Sequence, residues 1–177
     1  MKLTARELAM GGLFGALALV LPALFHIVAL AGPVFLPMYL PIAALAFLGT
    51  TRVAAIVGAL VPLISAALTG MPPISPPIAL FMSGELLALS LVCGLSYHRL
   101  RLPVVVCILL GSAASRCVLA VEVAAVGPLF GFRPALWKYV VGGIITGWPG
   151  LLLQLVVIPA VVRAVGRTTL EGEDGDT

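Results

Sequence analysis

The sequence predicts an all-α integral membrane protein of six transmembrane helices, and three observations carry that expectation. Of 177 residues, 62% are hydrophobic and 10% charged, where soluble domains hold roughly 45–50% and 25%. So few charges cannot clothe a water-facing surface. The apolar residues fall in runs near the length of a helical crossing, about 20 residues each, divided by turns bearing Gly, Pro or Arg. The basic residues gather at the ends of those runs, where they orient a chain in a bilayer. One transmembrane domain over residues 1–167 follows, with residues 168–177 as an acidic, disordered cytoplasmic tail.

The first span is residues 8–31, with Pro22 expected to bend or end its regular part because proline has no backbone donor. Lys2 and Arg6 precede it, and Ala29-Leu30-Ala31 before Gly32 resembles a leader-cleavage pattern. The run exceeds a leader's apolar core and five further spans follow, so retention is expected. After Gly32-Pro33 comes the second span, residues 36–48, with Pro37 and Pro41 in its first turns. It is short for a crossing. It should therefore start below the outer interface, with residues 34–41 folding over or into the bundle. Irregular backbone at membrane depth needs protein or a wet cavity around it, so a cavity near the outer side is expected.

Residues 49–52 form a tight turn into the third span, residues 53–69; the Pro-rich stretch 70–77 cannot continue a helix. The fourth span, residues 78–97, ends in the basic turn 98–101. The fifth covers residues 103–126 and the sixth residues 136–162. With the N-terminus inside, Lys2, Arg6, Arg52, Arg99, Arg101, Arg163 and Arg167 are cytoplasmic, against Arg133 and Lys138 outside. The positive-inside rule thus predicts both termini on the cytoplasmic side of a cell membrane. Cys93, Cys107 and Cys117 lie within apolar runs without metal-ligand spacing and read as small buried hydrophobes. No metal or cofactor is expected.

Three ionisable residues interrupt the spans: Glu85, Arg116 and Glu122. Each costs roughly 2.5–3.5 kcal/mol at mid-membrane on insertion scales, so each should face inward and find a partner. At about 1.5 Å per residue, Glu85 lies roughly 10 Å, and Arg116 roughly 15 Å, below the outer ends of their spans. The depths suit either a structural ion pair or two walls of a pocket for a small polar molecule. Glu122 sits six residues beyond Arg116, about 120° around the helix, and is expected to be a wetter group near the mouth.

Phe25, His26, Phe35, Met38, Tyr39, Met71, Trp137, Lys138 and Tyr139 cluster toward the same outer side. A headgroup belt is the alternative for Trp137 and Tyr139, and capping or interfacial placement for His26. Trp148 lies deeper, and its indole N–H needs a partner, so it is expected to face the pocket. Gly143, Gly147, Gly150 and Gln154 share one face of the sixth span, allowing close approach. Gln154 is expected to hydrogen-bond across helices rather than touch a ligand. Gly12, Gly15, Ala16 and Leu19 make a similar stripe in the first span, either for internal packing or for docking on another membrane protein. Gly58, Pro62, Ser65 and Thr69 do the same in the third.

The sequence contains no Gly-rich phosphate loop with lysine, so ATP hydrolysis would have to come from other subunits, and the chain is not expected to be an enzyme. Ser83 lies near Glu85, but a hydrolase would need a base from His26 or from His98, which belongs to the cytoplasmic side. A non-transport scaffold and a self-sufficient secondary carrier are the competing classes.

The stretch Phe35-Leu36-Pro37-Met38-Tyr39-Leu40-Pro41-Ile42 resembles the Leu-Pro-Met-His-Ile-Pro signature of the substrate-binding (S) components of energy-coupling factor (ECF) transporters. So do Leu68-Thr69-Gly70-Met71-Pro72-Pro73, Glu85-Leu86, Gly147-Trp148-Pro149-Gly150, Leu153-Gln154-Leu155 and Ile158-Pro159, in the right order over nearly the whole chain. The resemblance implies a six-helix subunit that captures a vitamin or related micronutrient from outside. Its lids would be residues 26–37 and 70–77, and its pocket candidates Glu85, Arg116, Trp148 and Lys138, with His26, Met38, Tyr39 and Met71 nearby. It also implies that Gly12, Gly15 and Ala16 dock on a transmembrane coupling subunit, which two cytoplasmic ATPases drive. Tyr39 stands where that pattern has histidine, which alters any polar contact from the position.

Overall fold

The computed structural model describes residues 3–27 and 32–174; the side chains of residues 23, 25–27, 32–33 and 166–174 lie outside that description. The chain is all-α among the described residues. Its helices are α1 (Ala5–Ile27), α2 (Gly32–Phe35), α3 (Tyr39–Leu48), α4 (Thr51–Thr69), α5 (Ile78–His98), α6 (Val104–Val121) and α7 (Leu136–Asp174). Five of them, all but α2 and α3, are long and apolar enough to cross a membrane. Leu13, Leu17, Ile56, Leu60, Leu95, Leu109, Ile144 and Val156 point outward. Such an apolar exterior is unsuited to water and suited to lipid, which makes this a multi-pass membrane protein.

The short apolar helix α3 is the axis of the bundle. Tyr39, Pro41, Ile42, Ala43, Ala44, Leu45, Ala46 and Phe47 are all buried, as expected of a helix that is hydrophobic all round. It is packed by α1, α4, α5 and α7. Helices α4, α5 and α6 stack beside it as successive antiparallel neighbours, and glycines set their spacing. A Cβ on Gly58 would come within 2.9 Å of Leu86 O and Ser90 Oγ. A Cβ on Gly111 would run into Cys93 Sγ.

Several boundaries differ from expectation for local reasons. Thr4 and Glu7 form a capping box: Thr4 N donates to Glu7 Oε2 at 2.9 Å and Glu7 N to Thr4 Oγ1 at 3.2 Å. This starts α1 at Ala5 rather than Leu8. Pro22 does not end α1, which continues to Ile27; residues 28–31, with the cleavage-like pattern, lie outside the described residues. The expected Gly32-Pro33 loop is instead the one-turn helix α2, and Pro37 precedes α3 rather than opening it. Thr50 caps α4 by accepting from Val53 N at 3.4 Å, so α4 begins inside the expected turn. Gly70 ends it in the left-handed region, with φ 72°.

The fifth span changes character at Glu122, where a π turn (Glu122–Val126) and a 3-10 turn (Gly127–Phe130) replace the α-helix. The last helix runs through Pro149 and Pro159 to Asp174, into the stretch expected to be a disordered tail.

Candidate functional site

The first residue of α3 meets the middle of α5 and α6. Pro37 and Met38 stay outside the helix, and Tyr39, the first residue of α3, is buried. Its Oη donates to Glu85 Oε2 at 2.7 Å. Arg116 Nη1 lies 3.0 Å from Glu85 Oε1, and the guanidinium carbon is 6.0 Å from the centroid of the Tyr39 ring. Glu85 is 4% exposed. The Arg116 contact is coulombic rather than a well-directed hydrogen bond, since Glu85 Oε1 has no hydrogen-bond partner among the described residues. The two intramembrane charges therefore pair with each other, and the tyrosine that departs from the expected pattern completes the set. A buried carboxylate is tolerable in such surroundings only when paired in this way.

Beside this network is a cavity of about 420 Å³. Leu36 and Tyr39 line it around the start of α3. Leu109, Ser112, Ala113, Ser115 and Arg116 of α6 form one wall, and Gly143, Ile144, Gly147, Trp148, Leu151 and Gln154 of α7 the other. The glycine face of α7 has a specific local use. Gly150 lies against the Phe35 carbonyl, Gly147 against the Leu36 side chain, and Gly143 against Arg116 Nη1. Leu36 takes a φ of 48°, a left-handed conformation that costs a non-glycine residue about 1–3 kcal/mol. The α2–α3 connection is thus held into the wall by two glycines of α7.

The expected site residues divide cleanly. Glu85, Arg116 and Tyr39 come together, and Trp148 lines the cavity while remaining 57% exposed at its rim. Met38 is instead a core residue at the start of α3. Met71 is exposed, with its carbonyl accepting from Ser65 Oγ at 2.7 Å. Lys138 lies away from the cavity with Nζ 5.9 Å from the Trp137 ring centroid, and the side chain of His26 lies outside the described residues. Of the two expected lids, residues 26–37 contribute Leu36 and residues 70–77 contribute no lining. The Ser83 hydroxyl donates to the Ala59 carbonyl at 2.5 Å, not to an acid.

Four expectations need correction. Gln154, expected to bond across helices away from a ligand, is buried and lines the cavity, and its Oε1 has no hydrogen-bond partner among the described residues. Glu122 is half-buried and does not line the cavity. Its rotation from Arg116 takes it off the cavity and onto α5, where its carboxylate packs against Gly84 and Oε2 has no partner among the described residues. Cys117 is exposed, unlike Cys93 and Cys107. The α1 stripe splits: Gly15 packs on Val57, whereas Gly12 has open space and Ala16 is exposed.

Sequence reasoning missed Leu109, Ser112, Ala113, Ser115, Ile144 and Leu151. The polar triplet Ser112, Ser115 and Arg116, spaced i, i+3, i+4 on an otherwise apolar helix, was the available signal. Within the site, Ser115 Oγ is engaged with the Ser112 carbonyl at 2.9 Å. Among the described residues no three His, Cys, Asp or Glu side chains are grouped to hold a metal ion. Arginine carries five N–H donors, so Arg116 can pair with Glu85 and still offer donors to an occupant of the cavity. Comparison of the chain with protein-family models, with curated proteins and with solved structures gives no match.

Proposed function

We propose that this chain is the solute-capturing membrane subunit of an importer of the ECF type, binding a vitamin or related micronutrient for delivery across the cell membrane. The single observation that carries the reading is the α6–α7 cavity with Arg116 in its wall. Its volume, about 420 Å³, falls in the range of small-molecule sites, and it combines an apolar lining with a few convergent polar groups. A passive scaffold has no use for such a recess beside a buried Tyr39–Glu85–Arg116 network.

The partner side of the proposal rests on α1. Its outer face carries Gly12 and Ala16 beside the exposed Leu13 and Leu17, and small residues allow helices to approach closely in lipid. A transmembrane coupling subunit would dock there, and two cytoplasmic ATPases would supply the energy. Gly15 is excluded from this role by its packing on Val57. In this reading both termini are cytoplasmic.

The test is purification of the full chain from its native membrane. One further membrane subunit and two ATPases should co-purify, and the double variant Gly12→Leu/Ala16→Leu should release them while a small molecule stays bound. Retention of the subunits by that variant, or their absence from the wild type, contradicts the assembly.

A further inference from the structure

We infer that the occupant of the α6–α7 cavity is a neutral, lipid-soluble molecule whose carbonyl or ether oxygen accepts from Arg116, and that the site excludes carboxylates. The inference rests on the capture reading and deepens it by naming the chemistry of the ligand.

Charge supplies the first ground. Arg116 is the one charged side chain in the wall, and it already faces a counter-charge, with Nη1 3.0 Å from Glu85 Oε1. A second acid, Glu122, packs against Gly84, the residue before Glu85. The positive charge is thus matched before any ligand arrives. A carboxylate entering here would be an uncompensated anion away from water, which is costly at membrane depth. A neutral molecule carries no such penalty.

Hydrogen bonding is the second ground. Tyr39 Oη donates to Glu85 Oε2 and Ser115 Oγ to the Ser112 carbonyl, so neither hydroxyl proton is left for an occupant. Gln154 belongs to the wall, but its Oε1 is closed off from the cavity. Arg116 differs. Its side chain keeps 19% exposure, and its contact with Glu85 Oε1 is not a directed hydrogen bond. A guanidinium has five N–H donors, so what the cavity offers here is donors, and what they recognise is an acceptor.

The third ground is the rim. Leu109, Ile144 and Trp148 line the cavity yet are 46%, 50% and 57% exposed. Leu109 lies inside the span Val104–Phe130, and Ile144 and Trp148 inside Leu136–Val165. The opening is therefore at hydrocarbon depth and has an apolar lip. A hydrated solute would have to leave water to reach it, whereas a lipophile dissolved in the bilayer is already there.

The two tryptophans of the chain are Trp137 and Trp148, so Trp137→Phe leaves Trp148, at the rim, as the sole energy donor. The full chain carrying W137F is placed in phosphatidylcholine vesicles and titrated with two probes. One is prodan, a neutral dimethylaminonaphthalene ketone; the other is the matching dimethylaminonaphthoate, with a carboxylate in place of the ketone. Saturable energy transfer to prodan is expected, with the naphthoate binding about a hundredfold more weakly. Ala113→Phe, at an exposed lining position, should abolish the saturable signal. Glu85→Gln leaves the charge of Arg116 unmatched and should reverse the preference. Should that variant not fold, the neutralised pair Glu85→Gln/Arg116→Leu removes the donors without stranding a charge, and should weaken prodan about tenfold.

Equal affinity of the parent for ketone and carboxylate overturns the inference. So does an unchanged preference in folded E85Q, or prodan binding equally strong in the neutralised pair or in A113F. Prodan that binds in detergent but not in phosphatidylcholine would mean that a phospholipid ester carbonyl takes the site, which also overturns it. If biotin or nicotinate, each a carboxylate, binds in a manner blocked by A113F while prodan does not bind, capture stands and the neutral ligand falls. If none of these molecules binds, both fall.

Discussion

The two faces of α6 are built to different ends. Toward α5 it presents Cys107, Ile108, Gly111, Ser115 and Leu119, all buried, and the helices close until Gly111 leaves no room for a methyl group beside Cys93. Toward α7 it presents Leu109, Ser112 and Ala113 across a cavity, with Ser115 and Arg116 at the border of the two faces, where both line the cavity and Arg116 pairs with Glu85 of α5. Glycines serve both sides, so small residues alone do not decide whether helices close. Gly111 of α6 receives Cys93 and Leu89 of α5 directly. Gly147 and Gly150 of α7 receive the α2–α3 connection, which stands between α7 and the rest of the bundle and leaves a gap beside it. One side is a packed wall and the other is a slot.

If that contrast is right, disrupting the wall should cost far more than altering the slot. The largest effect is expected for Arg116→Ala. It strands the carboxylate of Glu85 in the interior and should cost about 3–5 kcal/mol, read as a lowered thermal transition in detergent. Adding Glu85→Gln should recover part of the loss; a double variant no more stable than R116A would mean that the charges do not depend on one another.

Next is Gly58→Ala, whose Cβ would press on Leu86 O and Ser90 Oγ. Overpacking of this kind costs about 1–3 kcal/mol, and an unchanged transition would show that α4 and α5 are not in the close contact described. Tyr39→Phe removes the donor to Glu85 Oε2 and should cost a similar amount, about 1–3 kcal/mol; no loss would separate Tyr39 from the network. The smallest effect, and one of opposite sign, is expected on the slot side. Gly142 has open space where a Cβ would go, so Gly142→Ala should stabilise α7 by about 0.5–1 kcal/mol. Destabilisation there would mean that the α7 face is packed after all.

The features legible in the sequence are those that depend on a single helix. The apolar runs gave the all-α class and the multi-pass character, and helical rise alone put Glu85 and Arg116 at matching depths. Features that depend on how two elements meet were not legible. Tyr39 joins the pair because the chain stays irregular through Pro37 and Met38 before α3 begins, a boundary that periodicity does not fix. The α1 glycines look alike in sequence, yet Gly15 faces Val57 and Gly12 faces outward. Gln154 was placed on the correct face of its helix, but what stands opposite that face is set by Phe35 and Leu36. The rotation of Glu122 from Arg116 follows from helical geometry, but the neighbour it meets, Gly84 of α5, depends on how the two helices pack. The Thr4–Glu7 capping box was visible as Thr-x-x-Glu, and a reading of the N-terminus by that motif would have placed the start of α1.

Native mass spectrometry of the full chain in lipid nanodiscs tests most directly whether the slot is a binding site. The account predicts one small molecule bound per chain, retained by Gly142→Ala and lost from Ala113→Phe although that variant is folded. A wild-type chain carrying nothing, or an adduct equally abundant in A113F, would contradict it.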